Sequence, residues 1–261
     1  MAPKFTSWSP SRLADYDACP LMAKLKHLDK LCPLCFDGKV MGGYDSPAIC
    51  DSCGEEIKKG VALERGTEIG KNLELYVNGE VSKLHPEIKH PKVMKIAKDL
   101  RGLFKKGRVK VEHMASLSNT WKLMDPTDWR NIWLRAKLDV LDVDGKKAKV
   151  IDWKTGGIDK RNGSVRANDK YDSQLDLYNV ATLCAFPEVE EVESALVFVD
   201  CGKAHDPVVE RGSLKRADLK EAQKEWVKRV RAMFHDTSFV PTPGNCRFCD
   251  FRKDKGGPCR F

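Results

Sequence analysis

Long apolar runs are missing from this chain. Nowhere in its 261 residues does a hydrophobic stretch approach the roughly 20 residues of a membrane-crossing helix. The amino-terminal segment Met1-Ala2-Pro3-Lys4-Phe5-Thr6 likewise lacks the apolar region of a secretory signal. The expectation is a cytoplasmic chain with no membrane partner. Without a secretion signal, its ten cysteines argue for a reducing compartment and metal ligation rather than disulfides. An acidic excess is missing too. Forty-six Lys+Arg against 38 Asp+Glu give a net charge of +8, which favours a polyanionic partner without identifying one. The length suits one sizeable catalytic domain with an elaboration, or two small domains.

The cysteines fall into groups. Cys32-Pro-Leu-Cys35 and Cys50-Asp-Ser-Cys53 are two C-x-x-C knuckles separated by fourteen residues, a strong zinc-ribbon signal. Residues 36–44 between them are rich in turn formers and can build little core, so a bound Zn²⁺ supplies the missing stabilisation. Four thiolates leave no open coordination position, which makes the site structural. A redox-active pair is the competing reading, but nothing nearby suggests a thioredoxin-like unit. Lys24, Lys26, Lys30, Lys39, Lys58 and Lys59 surround the ribbon. They suit either a DNA-contacting knob or a plain solvated surface. At the other end, Cys246, Cys249 and Cys259 make an incomplete tetrahedral set that needs a distant fourth ligand. Cys184 and Cys201 read as structural thiols, and Cys19, taken alone, as a small buried hydrophobe.

The chemistry concentrates in one predicted hairpin. Asp144-Gly145 is a dipeptide typical of type I′ turns. A turn there pairs Val143 with Lys146, Leu141 with Ala148 and Asp139 with Val150. Asp139, Asp152 and Lys154 then project from one face, with the two carboxylates as diagonal neighbours about 7–8 Å apart. Two hard oxygen ligands at that spacing can converge on Mg²⁺ or Mn²⁺. Lys154 beside them can orient or activate a water and offset phosphate charge. The same face carries Leu141, Val143, Ala148 and Val150, so it reads as otherwise buried.

Around the hairpin, Ser9 caps a first helix that Pro20 interrupts or restarts. Helices are predicted over 61–77 (inner stripe Leu63, Ile69, Leu73, Val77), 86–106, 171–184 and 214–234. Strands are predicted over 108–117, 120–123 and 192–199. Trp121, Trp129 and Trp133 suit core packing better than base stacking. Residues 159–166 form a basic, flexible loop that suits either a clamp on backbone phosphates or a plain solvated surface. Gln174 and Tyr178 stand one turn apart on their helix.

Asp139, Asp152-x-Lys154 and Gln174-x-x-x-Tyr178, in that order, resemble the PD-(D/E)XK superfamily and, within it, RecB-type nuclease domains. Phage exonucleases related to CRISPR-associated RecB-like nucleases are similar. The resemblance implies an α/β core, one mixed sheet flanked by helices. Residues 1–30 would be its entry helices, 31–60 a zinc-ribbon insertion, 61–240 the nuclease core and 241–261 a closing cysteine tail. It implies a Mg²⁺- or Mn²⁺-dependent deoxyribonuclease, an exonuclease in phage DNA recombination or processing, working in the host cytoplasm. A recombination or single-strand annealing protein would be its partner. A structure-specific endonuclease, or a non-catalytic DNA-binding or scaffold subunit, is the alternative. Asp139 and Asp152 would bind the catalytic metal, with the Trp153 carbonyl as a further ligand. Lys154 would assist the attacking water, with Gln174 and Tyr178 positioning it and the substrate. Cys19 would join Cys246, Cys249 and Cys259 around a [4Fe–4S] cluster, or a second Zn²⁺. One position departs from the family: Gly70 stands where a metal-binding histidine is usual, and Glu74, one turn on, is the substitute the spacing offers.

Overall fold

The computed structural model describes residues 4–42, 46–58, 60–166 and 171–261. The expectations for residues 43 and 44 and for Lys59 fall outside them. Two compact units emerge, one built from residues 61–226 and the other from residues 1–60 with 227–261.

The smaller unit opens with α1 (Pro10–Ala18), entered through Ser9, whose hydroxyl accepts the Arg12 amide. Pro20 begins α2 (Pro20–Ala23), because a proline at the first helical position forfeits no intrahelical bond. A π-helical turn over Lys24–Leu28 follows. The ribbon contributes two short antiparallel strands, β1 (Val40–Met41) and β2 (Ile49–Cys50). Gly38 is required there by close approach. A Cβ at that position would lie 2.5 Å from Cys50 Sγ and from Ser52 Cβ.

In the larger unit, α3 (Val61–Asn78) and α4 (Pro91–Lys105) precede β3 (Val109–Leu117), β4 (Leu134–Asp144) and β5 (Lys147–Lys154). Then come α5 (Asp172–Ala185), β6 (Glu191–Phe198) and β7 (Val208–Lys215), and α6 (Leu219–His235) contains the boundary between the units. The five strands form one mixed sheet in the order β3-β4-β5-β6-β7, antiparallel except for the β5–β6 pair. Parallel pairing of β5 with β6 demands a crossover, which α5 supplies. Ile69, Leu73 and Val77 of α3 and Val93, Ala97 and Leu100 of α4 pack with Val140, Ile151 and Val197 in one buried cluster. No described helix is long and apolar enough to cross a membrane.

Several local expectations are corrected. The stripe of α3 starts at Ile69, and Leu63 is exposed. The helix expected from residue 86 starts at Pro91, since His90 caps the chain there by accepting the Lys92 amide on its ring. Residues 120–123 make only an isolated bridge, Leu117 to Leu123. Residues 208–215 are the edge strand β7, so the last helix begins at Leu219 rather than Leu214. Trp121 and Trp133 meet edge-on with ring centroids 5.3 Å apart, but Trp129 is 68% exposed and is no core residue.

Candidate active site

The hairpin turn falls one residue later than the Asp-Gly rule predicts. Gly145 takes the first central position with φ +58°, and Lys146, the second, has no positive φ. That is the φ pattern of a type II′ turn. The pairs become Asp144 with Lys147, Val143 with Ala148 and Leu141 with Val150. This register sets opposite charges and large apolar side chains across from one another, each a stabilising cross-strand pair. Relative to the expectation it slides β5 by two residues. An even shift leaves every side chain on its face, so Asp139, Asp152 and Lys154 still share a side. Asp139 and Asp152 become opposed positions rather than diagonal ones.

The β4–β5 ladder stops at Val140 and Ile151. Beyond it, the Trp153 amide donates to Asp139 Oδ2 at 2.9 Å, so a side chain replaces a ladder bond where the site opens. Asp152 is buried. Its Oδ1 accepts from Gln174 Nε2 at 3.2 Å. Its Oδ2 meets the Lys154 ammonium in a charge-assisted ion pair at 2.5 Å. Gln174 Oε1 accepts from Lys154 at 3.2 Å, and Gln174 Nε2 also donates to Tyr178 Oη at 2.6 Å. One amide on α5 thus fixes the carboxylate, the ammonium and the phenol. The Lys154 ammonium also lies 4.5 Å from the centroid of the Tyr171 ring.

Burial, and then the charge of Asp152, push the Asp139 carboxyl from the ordinary 3.8 up to about 8. Burial pushes Asp152 upward as well, against the pull of Lys154. Burial and the Asp152 charge make Tyr178 hold its proton more firmly than a free tyrosine. Two adjacent carboxylates that resist ionisation need a proton or a cation between them. The donor set is hard oxygen, which fits a divalent metal ion.

A pH dependence follows from this. Between about pH 4 and pH 8 the unfolded chain ionises Asp139 while the metal-free fold keeps its proton. The folded state then binds more protons, so stability falls as pH rises through that window, by at most about 1.4 kcal/mol per pH unit for one group. Thermal melts of metal-free protein should show that fall. Asp139→Asn should flatten it, and Mg²⁺ or Mn²⁺ should offset it most at the alkaline end. A wild-type slope unchanged in Asp139→Asn would count against the coupled carboxylate pair.

Sequence patterning did not single out Tyr171 or the pair Arg65 and Asp200. Tyr171 stands three residues before Gln174 and seven before Tyr178, a helical spacing that could have flagged it. Arg65 forks onto Asp200 at 2.6 and 3.0 Å, and Asp200 also accepts the Gly156 amide at 2.8 Å. The pair ties α3 to the chain just past the ends of β5 and β6. The segment 159–166 is pinned rather than free: Gly163 accepts the Gly202 amide at 2.8 Å, and Asn162 O lies 3.0 Å from His205 Nε2. Glu74 is paired with the Lys71 ammonium at 2.7 Å.

The four ribbon cysteines come together. Ligand atoms of Cys32, Cys35, Cys50 and Cys53 all lie within 4.8 Å of one another, a group that could hold a metal ion. Amides of Leu34, Gly38, Ser52 and Cys53 donate to these sulfurs at 3.4 to 3.5 Å. The Gly38 and Asp37 amides draw the Cys35 thiol down to about 6, which favours a thiolate. Cys19, Cys246, Cys249 and Cys259 instead line one cavity together with Leu21 and Leu25.

A family model described as the PD-(D/E)XK nuclease superfamily matches residues 55–253. No curated protein matches the chain. A solved structure described as "Crystal structure of SSO0001" is similar over 96% of this chain and 86% of its own, with 11% identity and a TM-score of 0.42.

Proposed function

Because the chain belongs to the PD-(D/E)XK nuclease superfamily, we propose that it is a metal-dependent deoxyribonuclease of RecB type. The observation that carries this reading is the half-buried Asp139 carboxylate beside the buried Asp152, with the Lys154 ammonium 2.5 Å from Asp152 Oδ2. Asp139, Asp152 and the Trp153 carbonyl would hold Mg²⁺ or Mn²⁺. When bound, the ion supplies Lewis-acid stabilisation of the phosphate charge and lowers the proton affinity of a bound water.

The remaining work falls to this chain's own groups. Lys154, held by Gln174 Oε1 and Asp152, would orient the attacking water and offset charge on the phosphate. Gln174 keeps the ammonium and the carboxylate in register. Tyr178 remains protonated and walls the site. The net charge of +8 favours approach of a polyanion. Exonuclease action on DNA ends, in phage recombination beside a single-strand annealing partner, is the finer form of the proposal, with the host cytoplasm as its setting.

The cysteines are proposed as structural. The ribbon, residues 31–60, holds Zn²⁺. The terminal four hold a [4Fe–4S] cluster. On a single zinc, thiolates about 2.3 Å from the ion stand roughly 3.8 Å apart. The ribbon quartet gathers its ligand atoms within 4.8 Å of one another. The terminal four line one cavity together, and four thiolates there suit a cluster or a second zinc.

The test uses end-labelled linear and closed circular DNA with Mg²⁺ or Mn²⁺. Loss of linear DNA with circles intact supports an exonuclease, and opened circles indicate an endonuclease. DNA binding without cleavage indicates the scaffold alternative, which Gly70 favours because it brings no ligand.

A further inference from the structure

Lys154 is the last residue of β5, and the chain leaves the sheet directly after it. A strand end frays unless its backbone groups find partners beyond the ladder. Here they do. The Lys154 carbonyl accepts the Val199 amide at 2.9 Å, and the Gly156 amide donates to Asp200 Oδ2 at 2.8 Å. Gly156 has φ +90°, a sharp turn that glycine makes without strain. Two consecutive residues just past β6 therefore grip the backbone on both sides of Thr155.

The grip is itself braced. Arg65 Nη1 and Nη2 donate to the two Asp200 oxygens at 3.0 and 2.6 Å, and Arg65 Nε donates to Glu87 at 2.7 Å. A forked guanidinium–carboxylate pair fixes the plane of the carboxylate as well as its charge. Next to Arg65 on α3, Gly66 approaches the residue after Lys154 so closely that a Cβ would lie 2.8 Å from Thr155 Oγ1. A Cβ on Gly157 would lie 2.9 Å from the Phe198 ring. Phe198 in turn meets Tyr171 edge-on at 6.5 Å, and the Tyr171 ring lies 4.5 Å from Lys154 Nζ.

We propose that Asp200, braced by Arg65, is a positioning residue for Lys154: by pinning the Gly156 amide it fixes the end of β5, and with it the aim of the ammonium. This rests on the active-site reading above. The reason is mechanical. Gln174 and Asp152 hold the tip of a long, flexible side chain, but its root is a strand terminus. A root that wanders carries the tip with it, and a misplacement of about 1 Å can cost about a hundredfold in rate. Asp200 and Arg65 touch no reacting atom and act through Lys154.

The experiment is single-turnover cleavage of linear DNA at saturating Mn²⁺, by the full chain with its cysteine-bound metals in place. Asp200→Ala should lower the cleavage rate about ten- to a hundredfold. Mn²⁺ affinity by calorimetry and DNA affinity by gel shift should stay at the parental values, because Asp139 and Asp152 are intact. In a Lys154→Ala background the same change should cost no more than about twofold, since residues that act as one unit are not additive. Arg65→Lys keeps the charge but loses the fork. It should show a smaller loss with the same non-additivity, and it carries the test if Asp200→Ala misfolds. An unchanged rate in the folded variants overturns the proposal. So does an equal loss with and without Lys154, or weakened Mn²⁺ binding, since either marks a general structural role. Lys154→Ala separates the two readings. If it slows cleavage while Asp200→Ala and Arg65→Lys do not, only the positioning role fails; if it cleaves like the parent, the active-site reading fails and the positioning role falls with it.

Discussion

Lys154→Ala should lower DNA cleavage by about 10²- to 10⁴-fold, the span typical of a positioned proton-transfer group, and Asp152→Asn should lower it at least as far. The two variants fail for different reasons. Removing Lys154 takes away the cation that Gln174 Oε1 and Asp152 hold in place, but it leaves both carboxylates. Removing the Asp152 charge loosens the metal and releases Asp139 from a neighbour that raises its proton affinity. Mn²⁺ binding should therefore survive in Lys154→Ala and fall in Asp152→Asn. DNA binding, followed by gel shift, should persist in both, because the net basic charge is distributed over the chain. Cleavage at the parental rate in either variant, under saturating Mn²⁺, would remove the site assignment.

Cys50→Ser should cost the ribbon its metal and its fold together. Cys50 is 1% exposed on β2, lies 3.6 Å from Cys35 Sγ, and accepts amides from Ser52 and Cys53. The ribbon's paired strands are only two residues long each, too short to stand alone. Metal binding is then folding free energy, on the order of 10 kcal/mol or more for structural zinc. Elemental analysis after anaerobic purification should give near one zinc together with iron and labile sulfide. Cys50→Ser should lose zinc alone, and Cys249→Ser should lose iron and sulfide alone. Zinc retained in Cys50→Ser would dismiss the ribbon assignment. Two zinc and no iron in the parent would dismiss the cluster while keeping the four-cysteine site.

The hairpin that carries the candidate site was legible although its register was not. The Asp-Gly signal placed a turn within one residue, and parity did the rest: a slide of two residues keeps Asp139, Asp152 and Lys154 on one face. The edge strand β7 was hidden because its buried-and-exposed alternation is poor, with no residue of Val208–Lys215 fully buried. Trp129 misled because a tryptophan in an ordered segment usually finds a core, whereas this one lies at a turn beneath the Arg130 guanidinium, 5.1 Å from its ring.

By itself the sequence determined what local chemistry can specify. Cysteine spacing selected the ribbon, proline and serine set the start of α1, apolar periodicity marked α3 and α4, and the D-x-K strand with Gln174 and Tyr178 carried the family. Only the tertiary structure decided what depends on which groups meet. It brought Cys19 to the tail cysteines 227 to 240 residues on. It set Arg65 on Asp200 and Asp200 on the Gly156 amide, contacts that no pattern of side-chain types encodes. Periodicity reports which face a residue occupies, but proton affinity, strain and metal capacity arise from burial among neighbours distant in the chain.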